Sequence, residues 1–491
     1  IWFNQGQVCC AGSRLLVQEG IADDFYTRLR ARMDKLRIGN PMDKAIDVGA
    51  IVDPSQLHAI AELIKNNPAG EHYSSGTLPE QGCFYRPTLI TGLSPADTLM
   101  QEEIFGPVLV STTFRTPAEA VQLANNTRYG LAATLWSENI NLALDIAPKL
   151  AAGIIWINGT NMFDAAAPFG GVRESGFGRE GGWEGLSAYT KPSGKAPALA
   201  PISAYNGNGA PQDPLDRTAK LYIGGKQTRP DGGYSRPVYG HKGPLLGHAS
   251  LANRKDVRNA VEAANAAAGW SKTTGHLRAQ ILYYIAENLS ARATEFANRL
   301  DALRPGKTGK KEVEASINRL FTYAAWADKF DGRAAGVPLR GVALVMREPV
   351  GKIAALCADQ SPLLGLISAM APALAMGNRV ILVASEPFPL AATDFIQVLE
   401  TSDVPGGVVN ILTGSHAELA PTLATHADID ALWSFSSSTI SAEIEAGSAA
   451  NLKRTWVNYG RARDWHGKQG EGRAFLNAAT EVKTVWIPYG E

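Results

Sequence analysis

The residue best suited to covalent chemistry stands nine positions into the chain. Phe3-Asn4-Gln5-Gly6-Gln7-Val8-Cys9-Cys10-Ala11-Gly12-Ser13-Arg14 reads as a glycine-containing loop that presents a thiol ahead of a short strand, residues 15–18. A thiolate is the most nucleophilic ordinary side chain, and loop N–H groups can lower its pKa and hold an oxyanion. A lone cysteine is more often a small core residue, so the spacing alone does not decide. The other cysteines are Cys10, Cys83 and Cys357. Four thiols in 491 residues make no disulfide framework and lack zinc-ligand spacing, so no metal is expected. The setting reads as reducing and cytoplasmic.

Elements to position that thiol follow. Residues 21–36, 53–66, 117–126 and 139–150 have helical spacing, with Asp53 as an N-cap and Pro54 at the first helical position. Residues 108–114, 132–136 and 153–158 read as strands. Residues 193–216 are proline- and glycine-rich without apolar period, a linker. A new unit starts near Leu221, with helices over 253–270, 276–304 and 311–330. Strands at 350–358, 379–384, 408–412, 430–435 and 454–459 then alternate with helices at 363–376, 391–400, 418–425 and 439–449. Such alternation with apolar strands predicts a parallel sheet covered on both faces, with right-handed crossovers. A length of 491 residues suggests about three domains on a prior of roughly 150 residues each. The 47 basic and 47 acidic residues balance, which argues against a nucleic-acid or anionic-membrane partner. No apolar run approaches the roughly 18 residues of a membrane span. No signal peptide is visible; the chain opens on Ile1 in what reads as a working loop, so its natural N-terminus is expected upstream.

Four ordered motifs carry a resemblance. The opening loop is similar to Phe-x-Asn-x-Gly-Gln-x-Cys, the active-site loop of the aldehyde dehydrogenase superfamily. Gln101-Glu102-Glu103-Ile104-Phe105-Gly106-Pro107-Val108 resembles its Glu-Glu-Ile-Phe-Gly-Pro signature. Asn125 to Ala132 resembles its Asn-x-x-x-Tyr-Gly-Leu segment. Pro168-Phe169-Gly170-Gly171, with Ser175-Gly176 and Gly178-Arg179-Glu180, resembles its closing motif. The resemblance implies that residues 1–192 are a catalytic domain with Cys9 as nucleophile and Cys10 as a bystander. It puts Glu103 on a cofactor ribose, where a carboxylate can accept from both hydroxyls, and Phe105 beside the nicotinamide. Phe163 and Phe169 fall on the aldehyde tunnel. The bland alternatives are a solvated helix-start charge for Glu103 and core packing for the two phenylalanines. The family's general-base Glu and its oxyanion Asn belong to motifs upstream of the cysteine loop.

Residues 217–460 resemble the family's cofactor domain, through Tyr323 to Lys329, Glu348 to Gly351, Ala371 to Asn378 and Val404 to Asn410. The functional positions depart from it. The oxyanion Asn position holds Gln360, the adenosine-ribose Lys position Val383, and the general-base position Asn458; Glu386 is retained. The Phe-Thr-Gly-Ser-Thr pyrophosphate turn reads Phe435-Ser436-Ser437-Ser438-Thr439. There Ser436 is expected to crowd a phosphate, or the serine run to cap the next helix. Gly185-Leu186-Ser187-Ala188-Tyr189-Thr190 is echoed by Phe475-Leu476-Asn477-Ala478-Ala479-Thr480, two copies of one tail. Residues 461–491 are the second tail. In residues 481–489, apolar side chains alternate onto both faces of a strand that needs pairing and cover. In the superfamily such a tail joins a partner subunit's catalytic sheet. Here the acceptor expected is the first unit's own sheet.

The predicted fold is therefore α/β: an aldehyde dehydrogenase catalytic domain, a degenerate doubly wound Rossmann-like domain and a C-terminal bridging strand. The arrangement resembles the long two-unit branch of the family, numbered sixteen. It implies oxidation of a small aldehyde with NAD, NADP being left open, through a Cys9 thiohemiacetal and thioester, with the second unit structural. A homodimer is compatible with it, as is a dimer-like pairing of the two units within one chain. Two other readings compete. One is a pseudoenzyme serving as an interaction scaffold. The other is a permutant in which residues 217–460 serve residues 1–192; Val383, Ser436 and Asn458 weigh against that one.

Overall fold

The computed structural model describes residues 1–190 and 217–489. The expected linker over 193–216 lies outside the described residues. The chain divides into two compact units. Of the described residues, the first holds Ile1–Tyr189, Ala334–Val345 and 483–489; the second holds the others.

In the first unit the loop at the chain start runs into β1 (Arg14–Gln18). It is followed by β2 (Glu71–Ser74), β3 (Thr88–Thr91), β4 (Val108–Phe114), β5 (Ala132–Leu135) and β6 (Ile154–Ile157). A four-stranded sheet has the order β1-β4-β3-β2, with β1 and β3 parallel to β4. All of β3 and most of β4 are buried, as strands covered on both faces require. The helix Pro54–Lys65 starts as the sequence reads: the Asp53 carboxylate accepts from Ser55 and Gln56 N–H with Pro54 in the first turn. Thr116 and Asn139 cap Pro117–Asn125 and Ile140–Ile146 in the same way.

The second sheet has five strands, ordered Arg333–Ala335, Gly341–Pro349, Thr480–Pro488, β6, β5. The tail strand is thus paired inside the first unit's sheet, with both faces buried over Val482–Trp486. Lys483 is covered with it; its ammonium donates to Pro148 O at 2.8 Å, which answers the cation. The strands at 333–335 and 341–349 escape a reading by period: the first is too short for one, and the second is an unbroken apolar run over 342–346 with no alternation.

The second unit carries a seven-stranded sheet. Its parallel part runs, in spatial order, Arg454–Val457, Ala431–Ser434, Lys352–Leu356, Arg379–Val383, Val409–Leu412. The helix Leu364–Ala375 is buried at every position, consistent with its apolar composition on all sides. The helix expected over 276–304 is two, Gly275–Ala291 and Ala293–Leu303. The backbone leaves helical geometry at Arg292 (φ −106°, ψ 13°), and the second piece turns Phe296, Leu300 and Leu303 into the core. Short strands at 218–250, unmarked by the apolar pattern, precede these helices; they pair antiparallel except for Thr218–Ala219, which runs parallel to Leu245–Ser250.

No helix among the described residues is long and apolar enough to cross a membrane.

Candidate active site

The thiol loop owes its shape to backbone that ordinary residues avoid. Asn4 (φ 49°), Gln5 (φ 58°) and Gly6 (φ 72°) are successive left-handed residues. A Cβ on Gly6 would lie 2.2 Å from Gly106 O, so only glycine lets the cysteine loop meet the Gly106 turn. Side chains hold the loop there. Gln5 Nε2 donates to Ala50 O at 2.9 Å, Val52 N–H donates to Gln7 Oε1 at 3.0 Å, and Trp2 Nε1 donates to Pro107 O at 3.2 Å. Ala11 N–H closes a tight turn onto Val8 O at 2.9 Å. The result separates two adjacent thiols: Cys9 is exposed and Cys10 is buried. Cys10 Sγ lies 3.5 Å from Asn161 Oδ1. Burial pushes the Cys10 thiol up, and the neighbouring Cys9 adds to the shift. A small cavity of about 60 Å³ beside the loop is lined by Phe3, Val8, Cys10 and Asn161 among others.

The Gly106 turn carries the two cofactor candidates. Ile104 is buried and anchors it, while Glu103 and Phe105 face outward on either side. Phe105 has φ 51°, and Gln56 Nε2 braces the turn at Phe105 O, 3.3 Å away. Glu102 is spent on Arg128 at 2.7 Å. Glu103 has no hydrogen bond or ion pair among the described residues. It is not a helix-start charge, because the preceding helix, Thr98–Gln101, ends before it.

Phe163 and Phe169 are brought together, with ring centroids 5.0 Å apart, and Phe163 also meets Trp156 edge-on at 5.8 Å. Phe163 is half exposed. Phe169 packs against a cluster that contains Cys10 and Trp156, so it joins the aromatic pair to the thiol loop. The closing motif is a pinned pair: Phe169 and Glu180 exchange both backbone hydrogen bonds, at 2.7 and 2.8 Å. Asn161, with φ 55°, and Trp156 are members of this neighbourhood that their residue types did not single out; the only sequence signal was their place between two motifs.

In the second unit the ends of the parallel strands are filled by the chain itself. His416, buried, donates from Nε2 to Ala384 O at 2.9 Å, and its Nδ1 is hydrogen-bonded to the Ser436 hydroxyl at 3.2 Å. Glu386 accepts from His416 N–H at 2.9 Å. Asp359 accepts from the Ser385 hydroxyl at 2.7 Å and from Glu386 N–H at 3.1 Å. Burial holds the Asp359 carboxyl above the ordinary carboxylate range, opposed by His416. Val383 is fully buried. Aligned letter by letter, the glycine of Phe-Thr-Gly-Ser-Thr falls at Ser437, not Ser436. Ser437 is the N-cap of Ser438–Ser448 and accepts from Ile440 N–H at 3.3 Å, so the capping role sits one residue after Ser436. Asn458 Nδ2 donates to Arg461 O at 2.8 Å, and an amide there cannot serve as a base. Among the described residues no cluster of three or more His, Cys, Asp or Glu side chains is placed to hold a metal.

The chain is similar in sequence to known proteins. An aldehyde dehydrogenase of Emericella nidulans is 43% identical over 194 residues, which are 39% of this chain and 39% of that protein. The mitochondrial aldehyde dehydrogenase of Homo sapiens is 41% identical over 194 residues, 39% of this chain and 38% of that one. The chain thus spans well under half the length of these curated relatives in the matched stretch. A solved NAD+ complex of an aldehyde dehydrogenase from Bacillus cereus aligns at 25% identity and a TM-score of 0.47, over 50% of this chain and 51% of that one. The model of the aldehyde dehydrogenase family matches residues 1–193 and 234–463. The chain belongs to the aldehyde dehydrogenase family.

Proposed function

We propose that residues 1–192 are the catalytic half of an enzyme that oxidises a small aldehyde to its acid, with Cys9 as nucleophile. The observation that carries this is the contrast within the loop: Cys9 is exposed and Cys10 is not. The Cys9 thiolate attacks the aldehyde carbon, forming the C–S bond of a thiohemiacetal. The Cys9 N–H, which has no acceptor among the described residues, is placed to meet the oxyanion. A nicotinamide dinucleotide, which Glu103 and Phe105 would hold, would supply the hydride acceptor needed to take the thiohemiacetal to a Cys9 thioester. Water then cleaves the C–S bond, releasing the acid and restoring the thiol. Glu103 fits a ribose because its carboxylate is exposed and uncommitted, and Phe105 fits the nicotinamide end because its ring is held outward. NAD is the cofactor proposed, with NADP an alternative for the assay. Phe163 is the better candidate for the substrate wall, since Phe169 is partly spent on packing.

Residues 217–460 are proposed as a structural copy of the cofactor domain. Support comes from Glu386, which caps His416 N–H, and from Ser436, which is bonded to His416. Residues 461–491 then serve as the bridging tail, so that one chain imitates a family dimer.

The test is turnover with a panel of aldehydes and both dinucleotides. Cys9→Ala should lower it by orders of magnitude, and Cys10→Ala should leave it largely intact. The opposite pattern would overturn the assignment. Dehydrogenase turnover absent from every pairing would favour the scaffold reading.

A further inference from the structure

The tail strand shares a hydrophobic cluster with the Cys9–Cys10 loop. Thr484, Val485 and Trp486 pair in parallel with Ile154, Ile155 and Trp156 of β6. Thr484 is fully buried; its hydroxyl donates to Pro168 O at 2.7 Å, beside Phe169, and its N–H donates to Gly153 O at 2.8 Å. Trp486, 3% exposed, lies in one packed cluster with Cys10, Trp156 and Ala167, and Val8 and Phe169 pack against the same cluster. Val8 and Cys10 are the residues on either side of Cys9. Asn161 holds the Cys10 sulfur from another direction. Val485, also buried, points to the opposite face of the sheet and belongs to no part of that cluster.

We propose that Trp486, assisted by Thr484, is a positioning residue for the Cys9 loop: it backs Val8 and Cys10 from below, so that the turn presents Cys9 and hides its neighbour. The catalytic meaning of this rests on Cys9 being the nucleophile; the packing does not. The hydrogen bonds of Trp2, Gln5 and Gln7 hold the loop's backbone, and one large ring in the cluster beside it fixes which thiol is buried, by excluding the alternative in which both swing outward. Residues more than 470 positions from Cys9 thereby decide which of two adjacent thiols meets solvent.

Alkylation of the native chain with iodoacetamide, read at each cysteine by mass spectrometry, tests this without any turnover. In the parent, Cys9 should label and Cys10 should stay protected. Trp486→Ala should raise Cys10 labelling tenfold or more relative to Cys9, and Trp486→Phe should restore protection. Val485→Ala removes volume from the other face of the same strand and should leave the ratio as in the parent. Thr484→Val, which keeps size and loses the bond to Pro168, should raise the ratio by a smaller factor and serves if Trp486→Ala does not fold. An unchanged ratio in both Trp486→Ala and Thr484→Val would overturn the proposal, as would equal exposure of Cys10 by Val485→Ala. A parent chain with this labelling pattern but no dehydrogenase turnover would sink the catalytic reading and leave the positioning one standing.

Discussion

The Cys9 loop and the strand-end crevice of the second unit descend from one family template and spend their polar groups in opposite ways. In the loop, hydrogen bonds from Gln5, Gln7 and Trp2 hold backbone, and Cys9, Glu103 and Phe105 are left facing outward. In the crevice, His416, Ser436, Glu386 and Asp359 are bonded to one another or to nearby backbone. A site that binds something keeps uncommitted donors and acceptors; a site that has become structure satisfies them internally, because an unmet buried polar group costs about 1–3 kcal/mol. Two carboxylates that the family resemblance puts at cofactor positions, Glu103 and Glu386, are thus one residue type in two physical states.

Three substitution sets sharpen or break that comparison. The largest effect should come from deleting residues 481–491, which removes the central strand of the five-stranded sheet and uncovers Trp156. Loss of a buried tryptophan alone costs about 3–5 kcal/mol. The truncated chain should melt well below the parent or precipitate, and an unchanged melting temperature and solubility would remove the tail from the account. Next is His416→Ala, which takes a buried ring from the crevice and strands the Ser436 hydroxyl. A loss of about 2–3 kcal/mol is expected by chemical denaturation. If the variant is as stable as the parent, the crevice is not closed by that network. The smallest effects separate the two carboxylates. Glu103→Gln, at an exposed and unpaired position, should change stability by less than about 0.5 kcal/mol while weakening dinucleotide affinity. Glu386→Gln should cost about 1 kcal/mol through the weakened cap on His416 and leave dinucleotide affinity as it was. Calorimetry with NAD on both variants reads this; equal losses of affinity would erase the distinction.

Local rules were legible where the chain writes them locally. Asp53-Pro54 announced a helix start that the structure has, and the β4 strand matches the expected 108–114. The helix expected over 276–304 was overextended because apolar period continues through Arg292, and only packing of Phe296 and Leu300 requires the break there. The strands at 88–91 and 341–349 went unseen because their pattern makes sense only beside the strands they join. At the thiol loop, the motif marked Cys9, Glu103 and Phe105, whereas Trp156, Asn161 and Trp486 carry no mark in a linear reading.

What the amino-acid order carried by itself was the family: a thiol in a glycine loop, a Glu-Glu-Ile-Phe-Gly-Pro turn, and a second stretch with Val383 and Ser437 where the resemblance expects a lysine and a glycine. These are covalent facts and short spacings, and no folding is needed to read them. What the tertiary structure decided is which groups are free. Exposure of Cys9 over Cys10, the idle carboxylate of Glu103 and the committed one of Glu386 depend on atoms far away in sequence, such as Gly106, Asn161 and His416. Burial and hydrogen-bond satisfaction are properties of a residue's surroundings, and the surroundings exist only once the chain has closed on itself.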